Sequence, residues 1–162
     1  MNIRYIRLLL MVAGIMVWFP AFSQVLSLGI KQDKRTMFQA GVNIPVIFKS
    51  DKKYDFTIGA DYTSKNPLQP SGLSPQITFV QFISDNKHKN FLISANMQAG
   101  YLFDFNKDRG NQFRISPCVY VEYLSFLNGK IGYNYLMSSQ KGYPFVSIGL
   151  GGFLMLHHLK SM

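Results

Sequence analysis

The sequence predicts an all-β fold, an eight-stranded antiparallel up-and-down barrel, and three observations carry that reading. Apolar and polar residues alternate with period two in one segment after another, short polar or Gly/Pro-containing runs separate the segments, and no helical period follows Gln24. At 162 residues the chain is long enough for one domain and not comfortably for two.

The first stretch lies outside the fold. Arg4 and Arg7 make a positive start, an apolar run follows from Leu8 to Phe19, and Ala21-Phe22-Ser23 places small residues where a signal peptidase reads. Residues 1–23 therefore read as a secretory signal peptide, cleaved after Ser23, and residues 24–162 as a barrel domain. The apolar run is shorter than the roughly 20 residues a spanning helix needs, and Pro20 ends it. No cysteine follows the cleavage site, which argues against a lipid anchor.

A weak first strand runs from Val25 to Lys31. In the second, Phe38, Ala40, Val42, Ile44, Val46 and Phe48 alternate with Gln39, Gly41, Asn43 and Pro45. The third, Tyr54 to Thr63, is the cleanest: Phe56, Ile58, Ala60 and Tyr62 on one face, Asp55, Thr57, Gly59 and Asp61 on the other. The fourth, Pro75 to Ile83, is weaker, being apolar on both faces in places. The fifth spans Phe91 to Phe105, with Ser94, Asn96 and Gln98 between its apolar residues. Phe113 to Tyr123, Ile131 to Met137 and Val146 to Leu156 complete the set. Most of these strands suit the roughly 9 to 11 residues that a tilted strand needs to cross a bilayer.

The separators carry turn chemistry: Gln32 to Arg35, Lys49 to Lys53, Ser64 to Ser74, Ser84 to Lys89, Asn106 to Asn111, Leu127 to Gly129 and Ser139 to Gly142. All are hairpin-sized, which predicts a meander and not a Greek key.

Alternation alone does not say which face meets water. A wetted face is usually rich in Lys and Glu, yet the polar faces hold Gln, Asn, Ser, Thr and Gly, and Glu122 is the only glutamate. Such residues suit a tight interior in which polar groups bond one another. An eight-stranded barrel is only just wide enough for its own side chains, so the many Phe and Tyr residues belong outside, against lipid. Tyr54, Tyr62, Tyr101, Phe103, Phe113 and Tyr123 sit toward strand ends, where an aromatic girdle is expected. Ile58, Met97, Val119 and Tyr133 should then point outward, and Thr57, Gln98, Ser116 and Asn134 inward.

In this pattern the chain resembles the small eight-stranded outer-membrane barrels of Gram-negative bacteria, from Ser23-Gln24 through the eight alternating segments. The resemblance implies an outer-membrane location, monomeric assembly by the barrel-assembly machinery, and contact with outer-membrane lipid and lipopolysaccharide. Such barrels commonly end on an aromatic residue; here the chain runs past Phe153 through His157 and His158 to Met162, so the chain either departs from that signal or carries it inward at Phe153.

The net charge is +9, but most lysines fall in short polar runs, so phosphates of lipopolysaccharide are the expected partner and nucleic acid is not. Cys118, the only cysteine, reads as a small buried side chain. His88 lies in a turn, and adjacent His157 and His158 would point to opposite faces of a strand, so neither a metal site nor any cofactor is expected. No histidine sits mid-strand beside a serine, which argues against hydrolytic catalysis and for a non-enzymatic protein. The inward charges Asp55, Asp61, Asp104, Arg114, Glu122 and Lys130 are the candidate site: a network filling the lumen, with Glu122 and Lys130 meeting across a turn at Asn128. The leading expectation is a structural or surface-binding barrel acting through short basic loops. A narrow pore and a soluble periplasmic barrel holding an apolar ligand are the alternatives.

Overall fold

A computed structural model describes residues 26–46, 52–86, 90–106, 110–124 and 127–151, and the predicted signal peptide, the histidines and Phe153 lie outside them. Eight strands follow one another: β1 (Leu26–Gln32), β2 (Thr36–Pro45), β3 (Tyr54–Thr63), β4 (Gly72–Asn86), β5 (Phe91–Asp104), β6 (Gln112–Tyr123), β7 (Leu127–Leu136) and β8 (Lys141–Leu150). Each pairs antiparallel with the next, and β1 closes on β8 from Leu28↔Leu150 to Gln32↔Val146, giving a closed barrel in sequence order. No helix occurs among the described residues.

Closure follows from the local pattern. A strand whose two faces differ must bury one of them, and eight such strands joined by hairpins bury the same face only by curling into a ring, which also removes every free edge. The buried face here is the polar one. Among the described residues 25 polar or charged side chains are buried against nine hydrophobic ones, while 31 large hydrophobic side chains stand exposed, most of them on the wall. Ile58, Met97, Val119 and Tyr133 face out, and Thr57, Gln98, Ser116 and Asn134 face in, as the alternation predicts. Two apolar clusters lie inside near the ends: Leu92 with Tyr120 and Phe82 at one, and Leu102, Leu136 and Tyr143 at the other.

The first of these ends carries the start of β1, the end of β8 and the β2–β3, β4–β5 and β6–β7 connections. The opposite end, the loop end, carries the other four. The longest described connection, Ser64 to Ser71, folds back over the loop end, burying Asn66, Gln69 and Ser71.

Three boundaries differ from the sequence expectation. The predicted turn at Leu127 to Gly129 is strand, because Asn128 faces the lumen opposite Glu122 and Gly149, and tertiary pairing overrides the turn preference of an Asn-Gly pair. The fourth strand starts earlier, at Gly72, and runs through a register shift between Phe82 and Ser84; that bulge explains its blurred alternation. The eighth begins at Lys141, so the last turn moves to residues 137–140.

Candidate functional site

The lumen is the one place where polar side chains from every part of the chain converge. Period-two pleating aims the even residues of β6 and β7 and the odd residues of β2 and β3 at a common axis. All six charges singled out from the sequence point inward and are buried, with Glu122 fully so.

Several of them meet neutral groups. Arg114 stands opposite Gly100 and Asp104 opposite Gly72, so the two are not register partners. Arg114 Nη2 instead donates to Gln76 Oε1 at 3.3 Å, and Gln76 Nε2 donates to Asn43 Oδ1 at 3.4 Å. This chain of contacts is a chord across the lumen from β6 through β4 to β2. A second line runs from β8 to β3: Ser147 Oγ donates to Gln39 Oε1 at 2.9 Å, and Gln39 Nε2 donates to Asp61 Oδ2 at 3.4 Å. Ser116 Oγ donates to Asn134 Oδ1 at 2.7 Å between β6 and β7.

Asp104 has a different role. It lies at the loop end, where Oδ1 accepts the backbone N–H groups of Ser71 (3.0 Å) and Asn106 (3.3 Å). The carboxylate thereby pins the folded-back loop. Asp55 Oδ1 accepts from the N–H of Phe56 at 2.7 Å near the opposite end.

The register makes Glu122 and Lys130 diagonal neighbours on the inner face and not direct cross-strand partners. Glu122 faces Asn128, and Lys130 faces Tyr120 on one side and Ser147 on the other. Glu122 Oε2 accepts a 2.6 Å hydrogen bond from Tyr120 Oη. A hydroxyl on the same strand, two residues away on the same face, thus contacts the carboxylate.

One inner cation escaped the sequence reading. Lys31 is buried, with its Nζ 4.3 Å from the centre of the Phe145 ring, a cation–π contact. Its parity held the signal: Ser27, Gly29 and Lys31 alternate with Leu26, Leu28 and Ile30. No group of three or more His, Cys, Asp or Glu side chains among the described residues could hold a metal ion. Cys118 is buried on the inner face of β6.

No known family model matches this chain, and no curated protein or solved structure is detectably similar to it.

Proposed function

We propose that this chain is a non-enzymatic outer-membrane barrel of a Gram-negative envelope, exported by residues 1–23, with a lumen closed by its own side chains. The observation that carries the reading is the inversion of burial: amides, hydroxyls and charges inside, large aliphatic and aromatic side chains outside. In water that exterior would be a continuous apolar surface far beyond what monomeric proteins expose. Against lipid it costs nothing. Ring contacts gather at the loop end, as an interface girdle would: Tyr101 packs at 5.1 Å from both Phe103 and Phe113, and Tyr62 at 6.1 Å from Phe105, while Phe56 and Tyr54 lean on Phe79 nearer the middle of the wall, at 5.1 and 6.3 Å.

The loop end would face outward, where it can meet lipopolysaccharide. The test is envelope fractionation joined to gel mobility with and without boiling. A membrane barrel stays with the outer membrane and migrates as a compact band until heated. Release into the periplasmic fraction without detergent would favour the soluble ligand-binding barrel instead.

A narrow pore is favoured by one observation. The inner hydroxyls of Thr57, Thr78 and Ser94 and the Asn96 amide oxygen have no hydrogen-bond partner among the described residues, and water in the lumen would satisfy them. The chord from Arg114 through Gln76 to Asn43 argues for closure. Single-channel recording separates the two, since a closed lumen gives no discrete current steps.

A further inference from the structure

The loop end holds a cleft of about 540 Å³ beside the folded-back connection, within the range of small-molecule sites. Gln112, the first residue of β6, lines it. Its side chain is only 1 % exposed, yet neither Oε1 nor Nε2 has a hydrogen-bond partner among the described residues. Buried amides are almost always bonded, so a donor and an acceptor both left open in the wall of a cleft point to a ligand that supplies both. A hydroxyl does so.

The rest of the lining narrows the chemistry. Lys34, from the β1–β2 turn, and Lys141, at the start of β8, bring two cations, and no carboxylate among the described residues lines the cleft. Leu136 and Tyr143 supply an apolar wall, suited to the flat face of a sugar ring. Ammonium groups act as point-charge partners for phosphate.

We propose that this cleft binds a phosphorylated saccharide, with Gln112 bonded to a ring hydroxyl and Lys34 and Lys141 meeting the phosphate. The inference rests on the cleft and not on the membrane reading. The saccharide can be a free sugar phosphate or the phosphorylated headgroup of a glycolipid; the recognition chemistry is the same.

Calorimetric titration of the folded chain, isolated from cells in mild detergent, tests this with a hexose 6-phosphate, the parent hexose, inorganic phosphate and a phosphorylated glycolipid in mixed micelles. The hexose phosphate should bind roughly tenfold more tightly than either the hexose or phosphate alone. Gln112→Leu should weaken hexose phosphate and hexose alike by about tenfold without lowering the unfolding temperature, since an unpartnered polar group has gone. The pair Lys34→Gln with Lys141→Gln should erase the preference for the phosphorylated sugar. These lysines are exposed, so that variant keeps the test alive if Gln112→Leu fails to fold. Glycolipid binding tighter than hexose phosphate assigns the headgroup as the source; weaker binding assigns the free sugar. No saturable binding of either phosphorylated probe would overturn the proposal. So would equal binding of phosphate and hexose phosphate, or parent-like binding by both variants. A chain that fractionates as soluble yet still binds sinks the membrane reading and leaves this one standing.

Discussion

Replacing Met97 by Arg tests which solvent surrounds the wall. Met97 is on the outer face of β5, paired to Phe79 on one side and Pro117 on the other, and is 46 % exposed. It is the seventh of the 14 residues of β5. At roughly 3.3 Å per residue and a tilt of about 40°, that strand rises about 35 Å along the barrel axis, placing Met97 about 17 Å from either end. That is the middle of a hydrocarbon core roughly 30 Å thick. An arginine there should cost about 2 to 4 kcal/mol in lipid, whereas on a water-facing wall the change should stay within about 0.5 kcal/mol. Leu73, the second residue of β4 and equally exposed, is the control near an interface, where Leu73→Arg should cost about 0 to 1 kcal/mol. The assay is urea unfolding from phosphatidylcholine vesicles, followed by gel mobility and tyrosine fluorescence, because the only tryptophan is in the first 23 residues. Equal costs at the two positions, or a Met97→Arg cost below about 0.5 kcal/mol, would refute a bilayer around this wall.

Tyr120→Phe removes the 2.6 Å bond to Glu122 and should lower stability by about 1 to 3 kcal/mol in the same assay; a parent-like value would mean that bond contributes nothing net. A double-mutant cycle with Glu122→Gln should show coupling, whereas strict additivity would deny it. Gly132 faces the lumen, and a Cβ there would strike the Pro117 carbonyl oxygen and the Cys118 Cβ, so Gly132→Ala should cost about 1 to 3 kcal/mol. An unchanged urea midpoint would show slack where the β6–β7 register resumes after Pro117. Leu124 holds a left-handed φ of 56° in the β6–β7 turn; Leu124→Gly should recover about 1 kcal/mol, and a loss of stability would mean its outer-face burial outweighs the strain.

The sides of the barrel were legible because alternation is a local property. Every second residue of β3 or β5 faces the same way whatever the rest of the chain does, so Thr57 and Ile58 could be sorted without knowing their neighbours. Partners were less legible. Moving a turn centre by one residue moves every cross-strand partner by two, which keeps the face and changes the neighbour. Lys130 shows this: a direct Glu122–Lys130 pair centres the turn on residue 126, whereas the register centres it on 125, so the lysine faces Tyr120 and Glu122 faces Asn128. The Ser64 to Ser74 separator carries plain turn chemistry, and nothing in Pro67, Pro70 or Gly72 says that residues 64–71 fold back over the loop end.

Contacts across the lumen were not legible at all, for a geometric reason. Asn43, Gln76 and Arg114 lie on β2, β4 and β6, and each step skips a strand. No sequence spacing encodes such a meeting; strand tilt, stagger and barrel radius decide it. Burial asks each charge for a partner, and Arg114 is met by an amide, Asp61 by an amide and Asp104 by backbone N–H groups. Neutral partners suit a narrow lumen. An ion pair must repay the desolvation of two charges within one geometry, whereas an amide both donates and accepts and can join two strands at once. Gln76 and Gln39 do this, each accepting from one side and donating to the other. Two glutamines that no charge-based reading would single out thus tie β2, β3, β4, β6 and β8 to one another through the interior.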